Sequence, residues 1–272
     1  MAAWLGRRFG DLAFYGLPGR RRITVANIRQ AFPELGAAEC RRLARRSWQH
    51  LGLTFVELCA LLAQPLDDFL ARVSVEGSEH VHAAMAEHGR ALMLTAHVGN
   101  WELLAAARRL SPYGLSVIVR PLDAPGLDAL ANRLRRKADV QLIDKRRALR
   151  PVLSALAGGG MVAILLDQNA SRREGVFVPF FGRLASTSRA VAVLALRTGA
   201  PVVPIFARRE AGGRHRVIIH PPLPIPANDG EDAVVELTAR CTAAIERTIR
   251  EAPEQWLWLH ARWRTRPPDE AA

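Results

Sequence analysis

With 272 residues, of which 49% are hydrophobic, the chain is long enough to bury a sizeable core, and its composition excludes a wholly disordered protein. Lys and Arg number 38 against 26 for Asp and Glu, and the resulting formal net charge of +12 predicts an acidic partner: nucleic acid, an anionic membrane, or an acidic protein or substrate. Three widely separated cysteines without a CxxC pair argue against a disulfide framework or a zinc ribbon and indicate a reducing, cytosolic setting.

The amino-terminal stretch MAAWLGRRFGDLAFYGLPGRRR is interrupted by Arg7, Arg8 and Asp11. It has neither a long apolar run nor a convincing cleavage site, so we predict no signal peptide. No apolar run in the sequence reaches the ~18 residues of a membrane-spanning helix. The sequence therefore predicts that any contact with a membrane is made at the membrane surface.

Helical and extended patterns alternate along the rest of the chain. Apolar side chains near helical spacing predict a long helix over residues 37–63. The predicted strands are ALMLTA (91–96), LSVIV (115–119), MVAILL (161–166) and VVPIF (202–206), with RVIIH (216–220) at the edge, and the predicted helices lie near 101–110, 125–138, 146–157 and 187–198. This alternation predicts an α/β fold with a mostly parallel central sheet flanked by helices.

Neither an internal repeat nor a linker divides the chain, so we expect one domain over residues 1–272. It would consist of a helical extension over 1–65 and an α/β catalytic core over 66–267. The core would end in an amphipathic helix, because EQWLWLHARWRTR (254–266) places two tryptophans on one helical face with three arginines close by. Such a helix suits a bilayer interface, but docking against the core is an equally simple interpretation.

The stretch LTAHVGNWELLAAARRL (94–110) starts as a buried strand and finishes as a helix. If His97 closes the strand, Gly99 permits a sharp reversal and Asn100 caps the helix, so that Glu102 lies in the first helical turn and can reach back to the imidazole. The carboxylate would fix the tautomer of His97 and leave the other ring nitrogen free as a general base. The alternative is that Glu102 is only a helix N-terminal acid favoured by the dipole.

Other motifs accompany this one: NIRQAFPEL (27–35), VRPLDAPGLDALANRLRR (119–136), LLDQNASRREGVFVPFFGRLASTSRAVAVLALRTGAPVVPIFARRE (165–210) and APEQWLWLHARWRTRP (252–267). Together they resemble the bacterial lipid A biosynthesis late acyltransferases, the lauroyl and myristoyl transferase family, over about residues 20 to 267. That family belongs to a wider group of glycerolipid acyltransferases that share a His-x4-acid motif. The resemblance implies that His97 is the general base and that Glu102 is its partner.

The resemblance also implies the reaction and its place. A fatty acyl chain would move from acyl carrier protein to a hydroxyl of a lipid A precursor or similar glycolipid, at the cytoplasmic face of the bacterial inner membrane. Members of the family usually begin with an apolar anchoring helix, whereas the start of this chain is broken by charge, so we expect peripheral attachment or anchoring by the N-terminus.

Two alternatives remain open from the sequence alone. One is an acyltransferase for another lipid acceptor, such as a lysophospholipid or another glycolipid. The other is a non-catalytic basic module that binds an anionic membrane or nucleic acid, although we expect no nucleic acid partner. We expect no metal and no cofactor, since the best metal pattern, His80-x-His82, is a weak one.

Several further residues are predicted to bind substrate. Arginines that follow the second predicted strand would contact an acceptor phosphate or the reacting carbonyl, although each fits a solvated basic helix face equally well. Polar residues at strand and helix ends would position the acceptor or hold a neighbouring loop. The predicted substrate-binding residues are Asn100, Arg120, Arg133, Arg135, Asp167, Gln168 and Arg189.

The segment GVFVPFFG (175–182) is unusually aromatic for a loop. Phe177, Phe180 and Phe181 are ordinary core residues in one interpretation. The resemblance favours the other, in which they form the wall of an acyl-chain channel.

Overall fold

The computed structural model describes residues 2–120, 125–228 and 230–268. The α-helices in this part of the chain are α1 (Ala2–Gly16), α2 (Pro18–Ala31), α3 (Ala37–Ala63), α4 (Leu66–Leu70), α5 (Ser78–His88), α6 (Trp101–Ala107), α7 (Pro125–Lys137), α8 (Leu149–Ala157), α9 (Ala190–Thr198) and α10 (Gly230–Glu251). The strands are β1 (Val73–Glu76), β2 (Ala91–Thr95), β3 (Leu115–Val119), β4 (Gln141–Asp144), β5 (Met161–Leu165), β6 (Gly175–Phe180), β7 (Arg183–Ser188), β8 (Val202–Arg209) and β9 (His215–Ile219).

A seven-stranded sheet in the order β1-β9-β8-β2-β5-β3-β4 forms the centre of the fold. Only the β8–β9 pair within it is antiparallel, so the prediction of a mostly parallel sheet is confirmed. The predicted edge position of β9 is wrong, because the short strand β1 pairs with its outer side. All five residues of β2 are buried, as a central parallel strand requires when helices cover both faces of the sheet.

Two hydrophobic clusters pack on the sheet. One contains the apolar side chains of α4, α5, α6 and α7. The other contains those of α8, α9 and α10, together with apolar side chains of α1, α2 and α3 and aromatic side chains near the chain end. Helices α6 and α7 follow β2 and β3 directly onto one face, and α8, α9 and α10 cover the other, so the strand ends are left open for polar residues.

The helical amino-terminal region is confirmed, and α3 has the predicted bounds. Helix α1 packs closely on α3 because both present glycines at the contact. A Cβ atom at Gly10 would lie 2.2 Å from the Trp48 carbonyl oxygen, and one at Gly52 would lie 2.1 Å from the Gly6 carbonyl oxygen. Within the described residues, no helix is both long and apolar enough to span a bilayer.

The aromatic segment 175–182 is a strand and a turn rather than a loop. Strands β6 and β7 form an antiparallel hairpin, and positive φ angles at Phe181 and Gly182 form its two-residue turn. The first residues of the helix predicted over 187–198 belong to β7 of this hairpin, so α9 begins only at Ala190.

The amphipathic helix predicted over 254–266 is wrong. A short 3₁₀ turn at Pro253–Gln255 is followed by an irregular segment, and Trp256 forms a bridge with Val98 beside β2. Trp256, Trp258 and Trp263 are buried in the core, because the segment lies against the carboxyl end of β2 instead of forming a helix on the protein surface. The tryptophans therefore contribute to packing and not to a membrane interface.

Candidate active site

His97 and Asp167 meet because their strands are neighbours in the sheet. Thr95 pairs with Leu165 in the parallel β2–β5 register, and each of the two polar residues follows two positions later. The carboxyl ends of adjacent parallel strands deliver both side chains to one point, which is where ligand sites collect in α/β sheets.

The carboxylate of Asp167 holds His97 by two hydrogen bonds. His97 Nδ1 lies 2.8 Å from Asp167 Oδ1, and the backbone N–H of His97 donates to Asp167 Oδ2 at 3.0 Å. The indole Nε1 of Trp256 also donates to Asp167 Oδ2, at 2.7 Å. Because an ionised carboxylate only accepts, His97 carries its proton on Nδ1, and its Nε2 is left with a free lone pair.

The buried pair has opposed pKa shifts. Burial alone would lower the pKa of His97, but the neighbouring Asp167 carboxylate reverses this effect and raises the pKa above its usual value. Burial alone would raise the pKa of Asp167, whereas His97 and Trp256 hold it at about 2. Asp167 is therefore ionised at neutral pH, and its charge favours the imidazolium that proton abstraction by His97 would produce.

The predicted contact between Glu102 and the imidazole is wrong, because Glu102 binds Arg135 instead. Arg135 Nη2 donates to Glu102 Oε1 at 2.7 Å and Nε donates to Oε2 at 3.2 Å, so the ion pair is bidentate. Helix α6 turns Glu102 toward α7, while His97 stays on the strand side facing β5. Asn100 caps α6 as predicted, accepting from the Leu103 N–H, and Gly99 has the positive φ that the reversal requires.

An apolar cavity of about 120 Å³ adjoins this site. Trp101 connects the two, since its ring lies in edge contact with His97 at a centroid distance of 5.1 Å and also lines the cavity. Glu102 and Arg135 form a polar part of the wall. The remaining wall is mostly apolar and includes Met93, Ala105, Val117, Met161, Ala163 and Val217.

Comparison with known proteins identifies the family. A sequence model described as bacterial lipid A biosynthesis acyltransferase matches residues 1–265. The chain is also 31% identical over 266 residues to a lipid A biosynthesis lauroyltransferase of Escherichia coli (strain K12), which covers 97% of this chain and 85% of that protein. The chain belongs to the bacterial lipid A biosynthesis acyltransferase family. The resemblance in its motifs is thereby confirmed, and the protein is an acyltransferase.

Two further relatives of this lipid A acyltransferase come from the same strain of Escherichia coli. A palmitoleoyltransferase is 27% identical, with 99% of this chain and 87% of that protein covered, and a myristoyltransferase is 24% identical, with 98% and 81% covered. Among solved structures, the 1-acyl-sn-glycerophosphate acyltransferase PlsC of Thermotoga maritima matches at a TM-score of 0.42 and 18% identity, over 86% of this chain and 97% of that one.

Only some of the predicted substrate-binding residues of the acyltransferase lie at the site. Gln168 does, since its Nε2 lies 3.5 Å from His97 Nε2. Asn100 is buried and its side-chain amide is used within the protein, which corrects its assignment to substrate. Arg189 pairs with Glu231 at the start of α10. Arg133 is exposed on α7, and Arg120 is exposed directly after β3.

The predicted phenylalanine channel is also corrected. Phe180 and Phe181 are buried in an aromatic cluster with Trp256, Trp258 and Trp263. Phe177, on the hairpin, is half-buried. None of the three phenylalanines lines the cavity beside Trp101, so their role in the described structure is packing.

The sequence interpretation missed the roles of Asp167 and Trp256. An available signal was that Asp167 directly follows a buried strand, as does the segment carrying His97, so that pairing of the two strands would bring them together. Trp256 had no such signal, because its contact depends on the path of an irregular chain end. Among the described residues, no cluster of three or more His, Cys, Asp or Glu side chains is arranged to hold a metal ion.

Proposed function

We propose that this acyltransferase moves a fatty acyl chain from acyl carrier protein to a hydroxyl group of a lipid A precursor, with His97 as the general base. The observation that carries the proposal is the 2.8 Å contact of His97 Nδ1 with the buried Asp167, beside an apolar cavity. The names of the lauroyl-, palmitoleoyl- and myristoyltransferase relatives support the acceptor.

The chemistry follows from the tautomer. His97 Nε2 takes the proton of the acceptor hydroxyl while its oxygen attacks the thioester carbonyl. A new C–O bond forms, the C–S bond breaks, and His97 returns the proton to the departing thiolate. The ionised Asp167 stabilises the intervening imidazolium, as the carboxylate does in a catalytic triad.

The cavity fits the acyl chain. Each methylene group that moves from water into an apolar environment contributes ~0.8 kcal/mol, so a chain bound there is held mostly by burial. The Glu102–Arg135 ion pair on the wall holds the Arg135 guanidinium at the cavity. We assign Arg135 to the developing negative charge on the carbonyl oxygen, a role that preorganised cations fill in acyl transfer.

A basic surface at the start of α8 fits the acidic acyl carrier protein. Arg146, Arg147 and Arg150 are exposed around Leu149 and, within the described residues, none of the three forms an ion pair. Lys145 at the same surface pairs with Glu174 on the loop that starts at Asp167. Exposed cations with an apolar centre match a small acidic protein by charge.

Helix α1 supports peripheral attachment to an anionic membrane. Away from the contact with α3, it exposes the large apolar or aromatic side chains of Trp4, Leu5, Leu12 and Tyr15, whereas Phe9, also exposed, stacks on Phe55 of α3. Arg7 and Arg8 lie on the same helix, and Arg20, Arg21 and Arg22 follow near the start of α2. An amphipathic helix of this kind lies in the plane of the interface. We therefore expect the exposed face of α1, rather than the carboxyl-terminal segment 254–266, to contact the membrane. The contact would lie at the cytoplasmic face of the inner membrane.

Acyl transfer by the purified protein tests the proposal. We expect His97→Ala to lose about 10²–10⁴-fold in kcat, the usual contribution of a general base, with an unchanged circular dichroism spectrum. His88→Ala, an exposed histidine on α5, is the matched control. Full activity of folded His97→Ala on a lipid A precursor would refute the proposal, and faster transfer to lysophosphatidate would favour the other acceptor class.

Two further measurements test the donor and the membrane contact. Replacing Arg146, Arg147 and Arg150 by Glu should raise KM for acyl carrier protein donors and leave KM for acyl-CoA unchanged. An equal rise in KM for both donors would show that these arginines do not bind acyl carrier protein. Binding to anionic vesicles should fall with added salt and in Leu12→Ser, but not in the control variant Leu184→Ser on β7. Equal binding to neutral and anionic vesicles would contradict the proposed membrane contact.

A further inference from the structure

We infer that a buried polar network, defined by His50, Glu57 and Arg209, positions the turn that carries His97. These residues come from α3 and the end of β8, and none of them lines the apolar cavity beside Trp101 or contacts the imidazole of His97. The inference rests on the proposed role of His97 as the base. The three side chains are positioning residues, since they act on the reaction through the backbone of the turn.

The turn has little freedom at Gly99, where φ is +60°. A Cβ atom there would lie 1.9 Å from the Ala207 carbonyl oxygen, so only glycine fits. The Gly99 N–H donates to the Gln255 carbonyl oxygen at 2.9 Å. The Gly99 carbonyl oxygen lies 3.1 Å from His50 Nε2. Both backbone polar groups of Gly99 are therefore held from outside the turn, by the His50 side chain and by the backbone of Gln255.

His50 is fixed as a donor toward Gly99. A carbonyl oxygen only accepts, so Nε2 must carry the proton. Arg209 Nη1 lies closer to Nδ1, at 2.5 Å, than to Nε2, at 2.9 Å, so the lone pair of Nδ1 accepts from it. Burial, together with the charge of Arg209, lowers the pKa of His50 to about 3. The imidazole thus stays neutral in this single tautomer across the physiological range, and the hydrogen bond to Gly99 persists.

Glu57 connects the same network to the other end of the turn. Arg209 binds both oxygens of Glu57, with Nε 3.0 Å from Oε1. Glu57 Oε2 also accepts from Asn100 Nδ2 at 2.8 Å, while Asn100 Oδ1 caps α6 through the Leu103 N–H. Burial would raise the pKa of Glu57, but His215, whose Nε2 lies 3.4 Å from Oε1, and the hydrogen bonds from Arg209 hold it at about 2. The ionised carboxylate therefore anchors Asn100.

A role in stability alone does not explain the arrangement. A buried ion pair costs much of its Coulombic gain in desolvation, and apolar residues of similar volume often replace it without loss. Here the Glu57 and Arg209 side chains are only 17% and 10% exposed, and their hydrogen bonds lead to Gly99 and Asn100, the two residues that follow Val98. Supporting groups of this kind hold catalytic side chains within the narrow tolerance that reaction requires.

The experiment compares His50→Leu with His50→Gln in the acyl-transfer assay. The Leu side chain cannot donate to Gly99, whereas the amide nitrogen of Gln takes the place of Nε2. We expect His50→Leu to lower kcat about 10- to 100-fold, as a displacement near 1 Å does, with KM for both substrates unchanged. His50→Gln should recover most of this loss. Thr24→Val, which removes the buried partner of Trp48 Nε1, is the control for lost stability and should keep its kcat.

Glu57→Gln covers the case in which His50→Leu does not fold, because it keeps the volume and removes the charge that holds Arg209 and Asn100. The same loss in kcat at unchanged KM is expected. Wild-type kcat in either folded variant, or an equal loss in His50→Leu and His50→Gln, would overturn the inference. His97→Ala is assayed alongside. If His97→Ala keeps its activity, the proposed role of His97 as the base is refuted. If His97→Ala is inactive while His50→Leu is fully active, only the positioning role of the network is refuted.

Discussion

Two carboxylates flank His97, and they serve different regions of the molecule. Asp167, at the end of β5, contacts both the ring and the backbone of His97. Glu102, on α6, is five residues from His97 in sequence, but it binds Arg135 and lines the apolar cavity. Under the proposed function, the carboxylate nearer in sequence belongs to the acyl-chain side, and the one 70 positions away belongs to the proton side. Strand order, rather than sequence spacing, decides which acid meets His97.

The largest expected effect is the loss of kcat when the charge of Asp167, on the proton side, is removed. In Asp167→Asn, one orientation of the amide turns its N–H groups toward two other donors, His97 N and Trp256 Nε1, and the other turns them toward His97 Nδ1. Either way the tautomer or the position of the ring is lost, and we expect kcat to fall about 10³–10⁴-fold, as in a triad. Glu246→Gln, a charge removal on α10, is the control, and near wild-type kcat in folded Asp167→Asn would contradict the assignment.

The second prediction concerns stability on the acyl-chain side. Glu102→Gln leaves the buried guanidinium of Arg135 without a counter-charge, and breaking a buried pair costs ~3–5 kcal/mol of unfolding free energy. Urea denaturation should show this loss, and the double variant Glu102→Leu with Arg135→Met should recover most of it. Additive losses in the double variant would mean that the two side chains do not act as a pair.

A third prediction tests the cavity. Ala163 lies in register between Met93 and Val117 on the cavity face of the sheet, so Ala163→Leu fills space that an acyl chain would occupy. We expect a graded shift toward shorter chains, since one methylene is discriminated by only ~1–3 kcal/mol. Mass spectrometry of the acylated product measures it. Phe181→Leu is the comparison. A larger shift in chain length in Phe181→Leu than in Ala163→Leu would indicate that the acyl chain binds at the β6–β7 hairpin instead of in the cavity.

The smallest expected effect is at Trp256, which supports Asp167 from the chain end. Trp256→Phe removes one of the three donors to this carboxylate and keeps the ring in the core. Because both hydrogen bonds from His97 remain, we expect kcat to fall by about tenfold, the lower end of the ~1.5–3 kcal/mol that one hydrogen bond to a charged group contributes. A loss as large as that of Asp167→Asn in steady-state assays would show that Trp256 does more than orient the carboxylate.

Much of the fold could be predicted from periodicity. The buried strands β2, β3 and β5 and the long helix α3 carry strong local patterns, and the alternation of strand and helix predicts the parallel sheet. Strands β1 and β4 were missed because four residues with mostly exposed or mixed burial carry no alternating signal. The carboxyl-terminal segment was misassigned because its tryptophans fit a helical face, whereas tertiary contacts hold it in an irregular path.

The site was predictable only in part. His97, Gly99 and Asn100 follow from local turn chemistry, and the structure places each as that chemistry requires. The partner of His97 did not follow, because the crossover through β3 and β4 that brings β5 beside β2 leaves no local trace in the sequence. The aromatic segment 175–182 was ambiguous for the same reason: a hairpin packed on the core and a channel wall have the same composition.

The most direct test of the account is the pKa of His97 itself, measured by NMR titration or from the acid limb of kcat/KM. His97 must be neutral to act as a base, so activity falls as pH drops through its raised pKa. Asp167→Asn should move that limb to lower pH, because the carboxylate that raises the pKa is gone. Glu102→Gln should move it less, since Glu102 acts from a distance and is paired with Arg135. A limb that moves with Glu102→Gln and stays in place with Asp167→Asn would show that the carboxylate near in sequence is the true partner.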